Sequence, residues 1–158
     1  MNRFALTATV LLMFTALPAI AADTWTGRCI GVIDGDTIRV LRGTGPVKIR
    51  LYGIDCPERY QPFSSRARQF TAGLVLRKTV TGEKVDTDPH GRRVALVFVD
   101  GVNVNYELVK AGFAWWYRKH APNNREFRRL ESEARMERRG LWRDPSPVPP
   151  WKWRKSHR

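Results

Sequence analysis

The chain is short of acid, of cysteine and of histidine. Its 158 residues hold 15 Asp and Glu against 28 Lys and Arg, with two cysteines and three histidines. Cys29 and Cys56 have no cluster of Cys and His around them, which excludes a structural zinc site. No internal repeat is visible, and the length suits one domain with a real core. There is a single marginal apolar run, Phe4 to Ala16, interrupted by Thr7, Thr9 and Thr15 and followed by Pro18.

What stands at the start has the pattern of a secretory signal. Arg3 gives a positive beginning, the apolar run follows, and Ala19-Ile20-Ala21 supplies small residues for cleavage near Ala21/Ala22. The expected organisation is a signal peptide over 1–22, a folded domain over 23–143, and a Pro-rich basic tail over 144–158. The expected location is periplasmic or secreted, with no stable membrane association once the signal is removed. No cysteine directly follows the cleavage point, so a lipid anchor has no support there. An oxidising compartment permits a Cys29–Cys56 disulfide, although permission is not geometry. Arg3 is the only charged residue of the first 22, so the remainder carries 27 basic and 15 acidic residues, a net +12. Such a surface attracts polyanions by steering and counterion release. Charge alone does not separate DNA from RNA, heparin-like sugars or anionic lipid.

Short alternating runs come first. Arg28 to Val32, Thr37 to Leu41 and Val47 to Tyr52 read as strands, the last with Val47, Ile49 and Leu51 on one face and Lys48, Arg50 and Tyr52 on the other. Ala67, Phe70, Thr71 and Leu74 form one helical stripe, capped by Ser64 or Ser65. Thr79 to Val85 and Val94 to Val99 are two further strands, the second ending in an Asp100-Gly101 turn. Asn105 is expected to cap a short helix ended by Gly112. Asn124 caps a longer one with Phe127, Leu130 and Ala134 inward, a solvated charged face outward, and Gly140 as its stop. The tail has four prolines and Trp151-Lys152-Trp153-Arg154-Lys155, and is expected to be extended and mobile, its two tryptophans being suited equally to stacking on bases and to folding back on the domain. Three strands, a helix and two strands is the order of an OB-fold barrel. The predicted class is α+β, a five-stranded OB-fold barrel with about three helices.

The chemistry is concentrated at strand ends. Val32-Ile33-Asp34-Gly35-Asp36-Thr37 is followed by Arg50-Leu51-Tyr52-Gly53-Ile54-Asp55-Cys56-Pro57-Glu58. Asp-Gly-Asp-Thr alone is an ordinary turn. With Asp55 and Glu58 beside a second strand end, it becomes a hard-cation site. Calcium takes carboxylate and carbonyl oxygens in irregular geometry, which Asp36, Asp55 and the Cys56 carbonyl can offer, with Asp34 in support behind them. Phosphodiester hydrolysis needs an attacking water, neutralised phosphate oxygens and help for the leaving oxygen. Glu58 can serve the water. Arg50 can grip phosphate with its planar fork, and Thr87-Asp88-Pro89-His90-Gly91-Arg92 offers a second arginine. Trp115, Trp116, Tyr117, Arg118 and Lys119 are candidates for stacking and charge, with some of the aromatics expected in the core. His120 is a candidate proton donor that nothing places near phosphorus.

Asp34-Gly35-Asp36-Thr37, Arg50 to Glu58, Asp88 to Arg92, Pro122-Asn123-Asn124, Asn105 with Leu108-Val109, and Gly140-Leu141-Trp142 resemble, in order and approximate spacing, the staphylococcal (micrococcal) nuclease family. The resemblance runs from about Gly27 to Trp142, and Gly-Ile-Asp-Cys-Pro-Glu is similar to the exported bacterial thermonuclease-like members. It implies calcium-dependent hydrolysis of DNA and RNA with little sequence specificity, cutting the P–O5′ bond and leaving 3′-phosphates. It also implies calcium on Asp36, Asp55 and the Cys56 carbonyl, Glu58 as base or water-orienting group, and Arg50 and Arg92 on the scissile phosphate. Cys56 stands where the best-known member has Thr, the loop between Glu58 and Gln69 is shorter, and Pro89 and His90 replace Lys and Tyr. The family's stacking tyrosines have no clean counterparts. A monomer acting on nucleic-acid substrates is expected. The alternatives are a catalytically inactive OB-fold nucleic-acid-binding module, which the presence of all five side chains argues against, and a binder of anionic glycan or lipid, which leaves the acidic cluster without a purpose.

Overall fold

A computed structural model describes residues 23–157. The signal expected over 1–22 lies outside the described residues. Six strands form one sheet in the order β3-β2-β1-β5-β6-β7. These are β1 (Thr24–Asp34), β2 (Thr37–Arg42), β3 (Gly45–Leu51), β5 (Thr79–Thr87), β6 (Arg93–Val99) and β7 (Val102–Asn103). Two-residue strands β4 (Ile54–Asp55) and β8 (Trp115–Trp116) pair separately. The helices are α1 (Ser64–Val75), α2 (Val104–Lys110), α3 (Arg125–Met136) and α4 (Pro150–Ser156).

The barrel closes because β1 is long enough to serve two neighbours. Its first half pairs antiparallel with β5 and its second half with β2. Register shifts between Cys29 and Gly31 and between Val32 and Asp34 mark where the strand bends. The parallel pair β3–β6, with Ile49 against Arg93 and Leu51 against Ala95, then joins the ends. The result is a five-stranded OB-like barrel in an α+β fold, as the strand order predicts, with β7 added at the edge and four α-helices among the described residues. Ile38, Val40, Ile49, Leu51, Val80, Ala95 and Val97 are fully buried, so alternation along the strands fills the interior. Among the described residues no helix is long and apolar enough to cross a membrane.

Several local expectations need correction. α1 starts after Phe63, a left-handed residue with no side-chain cap, and neither Ser64 nor Ser65 caps it. Asn103 rather than Asn105 caps α2, its side chain accepting from the Tyr106 amide. Asn105 is buried instead: its Oδ1 accepts from the Val97 amide and its Nδ2 donates to the Tyr52 and Ala95 carbonyls. It therefore stitches α2 to the barrel wall through backbone groups of β6 and of Tyr52, just past the end of β3. Asn124 does cap α3, accepting from the Phe127 amide. Its charged positions are not all solvated, because Glu131 is buried and accepts from the Trp116 amide. α3 ends at Met136, and Gly140 opens the 3-10 turn Gly140–Arg143 rather than stopping the helix.

The tail is the largest departure. Pro150–Ser156 is helical, with Pro at its first position where the missing N–H costs no bond. Trp151 packs edge-on to Trp115 at 5.6 Å between ring centroids and stacks on Tyr117 at 5.4 Å. The expectation of an extended segment fails because these aromatic contacts, over thirty residues away in sequence, outweigh the proline content. Cys29 and Cys56 are both buried free thiols.

Candidate active site

The two acid-bearing segments meet through a glycine. A Cβ on Gly35 would lie 2.6 Å from Cys56 Cβ and 2.8 Å from its Sγ, so only glycine lets the β1–β2 turn approach the end of β4 this closely. The Gly35 carbonyl accepts from Thr71 Oγ1 at 2.6 Å, which fixes the turn on α1. Within the turn, the Asp36 amide donates to Asp34 Oδ1 at 3.1 Å. Across it, the Cys56 amide donates to Asp36 Oδ2 at 2.6 Å.

Arg50 pairs with Thr37 in the β2–β3 ladder, which places its guanidinium between the two segments. Its Nη1 is 2.8 Å from Asp36 Oδ1 and its Nη2 is 3.0 Å from Asp55 Oδ1. Asp36 and Asp55 are buried, and only 13% of the Arg50 side chain is exposed. Burial raises the Asp36 carboxyl from 3.8 to about 7, with Asp34 and Asp55 adding repulsion that Arg50 and the Cys56 amide only partly offset. The same burial, with Asp36 close by, pushes the Cys56 thiol well above the usual thiol range.

Glu58 stands at the rim, with its amide donating to Gln61 Oε1 at 2.9 Å. Arg92 lies on the turn before β6, where Gly91 adopts φ +72°. The Asp88 carboxylate accepts from the His90 and Arg92 amides and from Arg92 Nε, the last at 2.6 Å. Arg92 Nη1 reaches Thr37 Oγ1 at 3.5 Å, and that hydroxyl is 3.3 Å from Asp36 Oδ1. The structure thus brings Asp36, Asp55 and Arg50 into direct contact, places the Cys56 backbone on Asp36, links Arg92 to the group through Thr37, and leaves Glu58 at its edge. The His120 ring lies 4.8 Å from the Tyr117 ring.

Sequence reasoning missed Arg154 and Gln61. Arg154 Nη2 is 2.9 Å from Asp55 Oδ2, and its Nη1 bonds Asp55 Oδ1 at 3.2 Å and also Glu58 Oε1. Gln61 Nε2 donates to the Val148 carbonyl at 2.6 Å. The tail tryptophans were the one sign that the segment could fold back, and no local pattern links position 154 to position 55. Of the suggested stacking residues, Trp115 and Trp116 are core, and Tyr117 is half-buried under Trp151. Trp115, Tyr117, Arg118, Lys119, Trp151 and Lys155 line a cavity of about 490 Å³ beside this site.

The site fits a hard cation in donor chemistry rather than as a finished cage. Among the described residues no three Asp, Glu, His or Cys side chains converge as a ready cluster. Two carboxylates do converge on one guanidinium, and among the described residues Asp36, Asp55 and Glu58 pair with Arg50 and Arg154 alone. Such a charge deficit, in a set of oxygen donors, suits a divalent cation. The protonated Cys56 thiol is no ligand for it, which leaves the backbone carbonyl as that residue's donor.

The model of the staphylococcal nuclease homologue family matches residues 48–144. That span holds Arg50, Asp55, Cys56, Glu58 and Arg92; Asp34 and Asp36 precede it, and Arg154 follows it. Protein ParB of Escherichia coli is 44% identical over 153 residues, covering 89% of this chain and 86% of that protein. An uncharacterized endonuclease of Escherichia coli O157:H7 is 40% identical, covering 92% and 94%. A micrococcal nuclease of Shigella flexneri is 36% identical, covering 94% and 90%. With its barrel, its acidic turn and these relatives, the chain belongs to the staphylococcal nuclease family.

Proposed function

We propose that the protein is a calcium-dependent endonuclease that hydrolyses DNA and RNA with little sequence specificity and leaves 3′-phosphate ends. The observation that carries this reading is the contact of Asp36 and Asp55 with one guanidinium, beside Glu58 and within one hydroxyl of Arg92. Asp36, Asp55 and the Cys56 carbonyl would hold calcium, whose charge neutralises the non-bridging oxygens of the scissile phosphate. Glu58, at the rim and partly exposed, accepts the proton of the attacking water. Arg92 turns from Asp88 to the phosphate, where its fork meets two oxygens as charge develops. Arg50 bridges Asp36 and Asp55 and holds them side by side, and its remaining donors face the same phosphate.

The basic surface draws the polymer in, and the aromatic and basic cavity beside Trp151 receives flanking nucleotides. The N-terminal pattern supports export and cleavage near Ala21/Ala22, so that the protein acts in the periplasm or medium.

The test is digestion of single-stranded DNA, duplex DNA and RNA by the mature protein, with calcium or a chelator. The expected result is calcium-dependent cleavage of all three, lost in Glu58→Ala. Tight, salt-sensitive binding without cleavage would instead assign the chain to an inactive nucleic-acid-binding module.

A further inference from the structure

The strip of chain after residue 144 is tied to the acidic loop at three points. Arg154 grips Asp55 and Glu58. The Val148 carbonyl accepts from Gln61, whose Oε1 in turn accepts from the Glu58 amide. Trp151 packs on Trp115, and Trp115 is the register partner of Asp55 in the β4–β8 pair. Glu58 is therefore held at both backbone and side chain by partners that depend on the tail.

We propose that Arg154 is a positioning residue for phosphodiester hydrolysis, acting through Asp55 and Glu58, and that α4 is part of the catalytic unit. The inference rests on the nuclease reading above. Its geometric basis is a two-pronged grip on the Asp55 carboxylate. Arg154 Nη2 holds Oδ2 at 2.9 Å and Nη1 holds Oδ1 at 3.2 Å, while Oδ1 also accepts from Arg50. A planar fork on both oxygens fixes the plane of the carboxylate. The Nη1 arm also bonds Glu58, which sets Glu58 beside Asp55. The charges agree with this arrangement. The ion pairs join three carboxylates, Asp36, Asp55 and Glu58, to two guanidiniums, Arg50 and Arg154, an excess of acid that leaves a place for a cation beside Arg154.

The experiment compares wild type, Arg154→Gln and Arg154→Lys in the full mature chain. Three readouts are taken: kcat and KM on a short single-stranded DNA, calcium affinity by calorimetry, and the thermal midpoint. Arg154→Gln is expected to lower kcat by about 10- to 100-fold at saturating calcium, the range found when a partner that orients a ligand is lost. KM and calcium affinity are expected to stay within about threefold of wild type. Arg154→Lys keeps the charge without the fork and is expected to recover only part of kcat. A helix-docking role alone would lower the thermal midpoint and leave kcat within threefold, and that result overturns the proposal. A calcium affinity raised tenfold or more in Arg154→Gln also overturns it, because Arg154 would then be a stand-in that the cation must displace. If wild type cleaves and Arg154→Gln cleaves equally well, only this inference fails. If wild type does not cleave at all, the nuclease reading fails and takes the inference with it.

Discussion

The site has a buried wall and an open rim, and they are built by different means. The wall is Asp36 on the β1–β2 turn, Arg50 on β3 and Asp55 on β4, largely shielded from water and packed through Gly35 against Cys56. The rim is Glu58, Arg92 and Arg154, carried by a loop, a turn and a short helix, with 29–38% of each side chain exposed. In the wall, charge is part of the core, and each group there depends on the others for its solvation. At the rim, charges pair with neighbours that water can replace. The wall should therefore report on folding and catalysis together, and the rim mainly on catalysis.

Two arginines put this to its hardest test. Arg50→Ala leaves Asp36 and Asp55 buried without their shared cation, which costs about 3–5 kcal/mol when a buried pair is broken. Urea unfolding in chelator should show that loss, and cleavage should vanish. Arg92→Ala removes a side chain that, among the described residues, hydrogen-bonds Asp88 and Thr37 alone, so its stability change should stay under about 1 kcal/mol. Its kcat should nevertheless fall by about 10²–10³, the usual cost of losing one donor to transition-state charge. Equal stability losses in the two variants would erase the distinction between wall and rim.

A smaller effect separates the wall by pH. Folding raises the Asp36 carboxyl from 3.8 to about 7, chiefly by burial. Between those values the folded chain holds a proton that the unfolded chain has lost. Stability of the cation-free protein should therefore be greatest below about pH 4 on this account. It should fall as pH rises to about 7, by up to about 1.4 kcal/mol per unit. Asp36→Asn should flatten that slope in unfolding measured with chelator. A slope unchanged in Asp36→Asn would assign the pH dependence to other groups.

The wall was also the part legible in sequence. Asp34 to Thr37 and Arg50 to Glu58 are local patterns, and alternation along Val47 to Tyr52 places Arg50 opposite Ile49 and Leu51, as found. The barrel was legible for the same reason, because strand order and period-2 burial are properties of short segments. Asn105 and Glu131 were misread because a polar residue near a helix start or on a charged face has a default reading. Each instead satisfies backbone groups on a distant strand. Arg154 was invisible for a stronger reason. Its partners lie 99 and 96 positions away, and the prolines before it favour an extended reading that only the packing of Trp151 on Trp115 and Tyr117 reverses.

The finest distinction lies within one residue of the wall. Cys56 presents a thiol, an amide and a carbonyl to the site, and the three have different work. The amide holds Asp36, the carbonyl is the donor proposed for calcium, and the thiol packs against Gly35 in its protonated form. A thiol pushed up by burial and by Asp36 is a poor partner for calcium, which selects oxygen. Cys56→Ala removes only Sγ and keeps both backbone groups and the Cβ that rests on Gly35. It should cost about 1 kcal/mol for the small cavity, read by urea unfolding. Calcium affinity, read by calorimetry, should remain within about twofold of wild type. A tenfold loss of affinity would make the sulfur a ligand and remove the carbonyl from its assigned place in the wall.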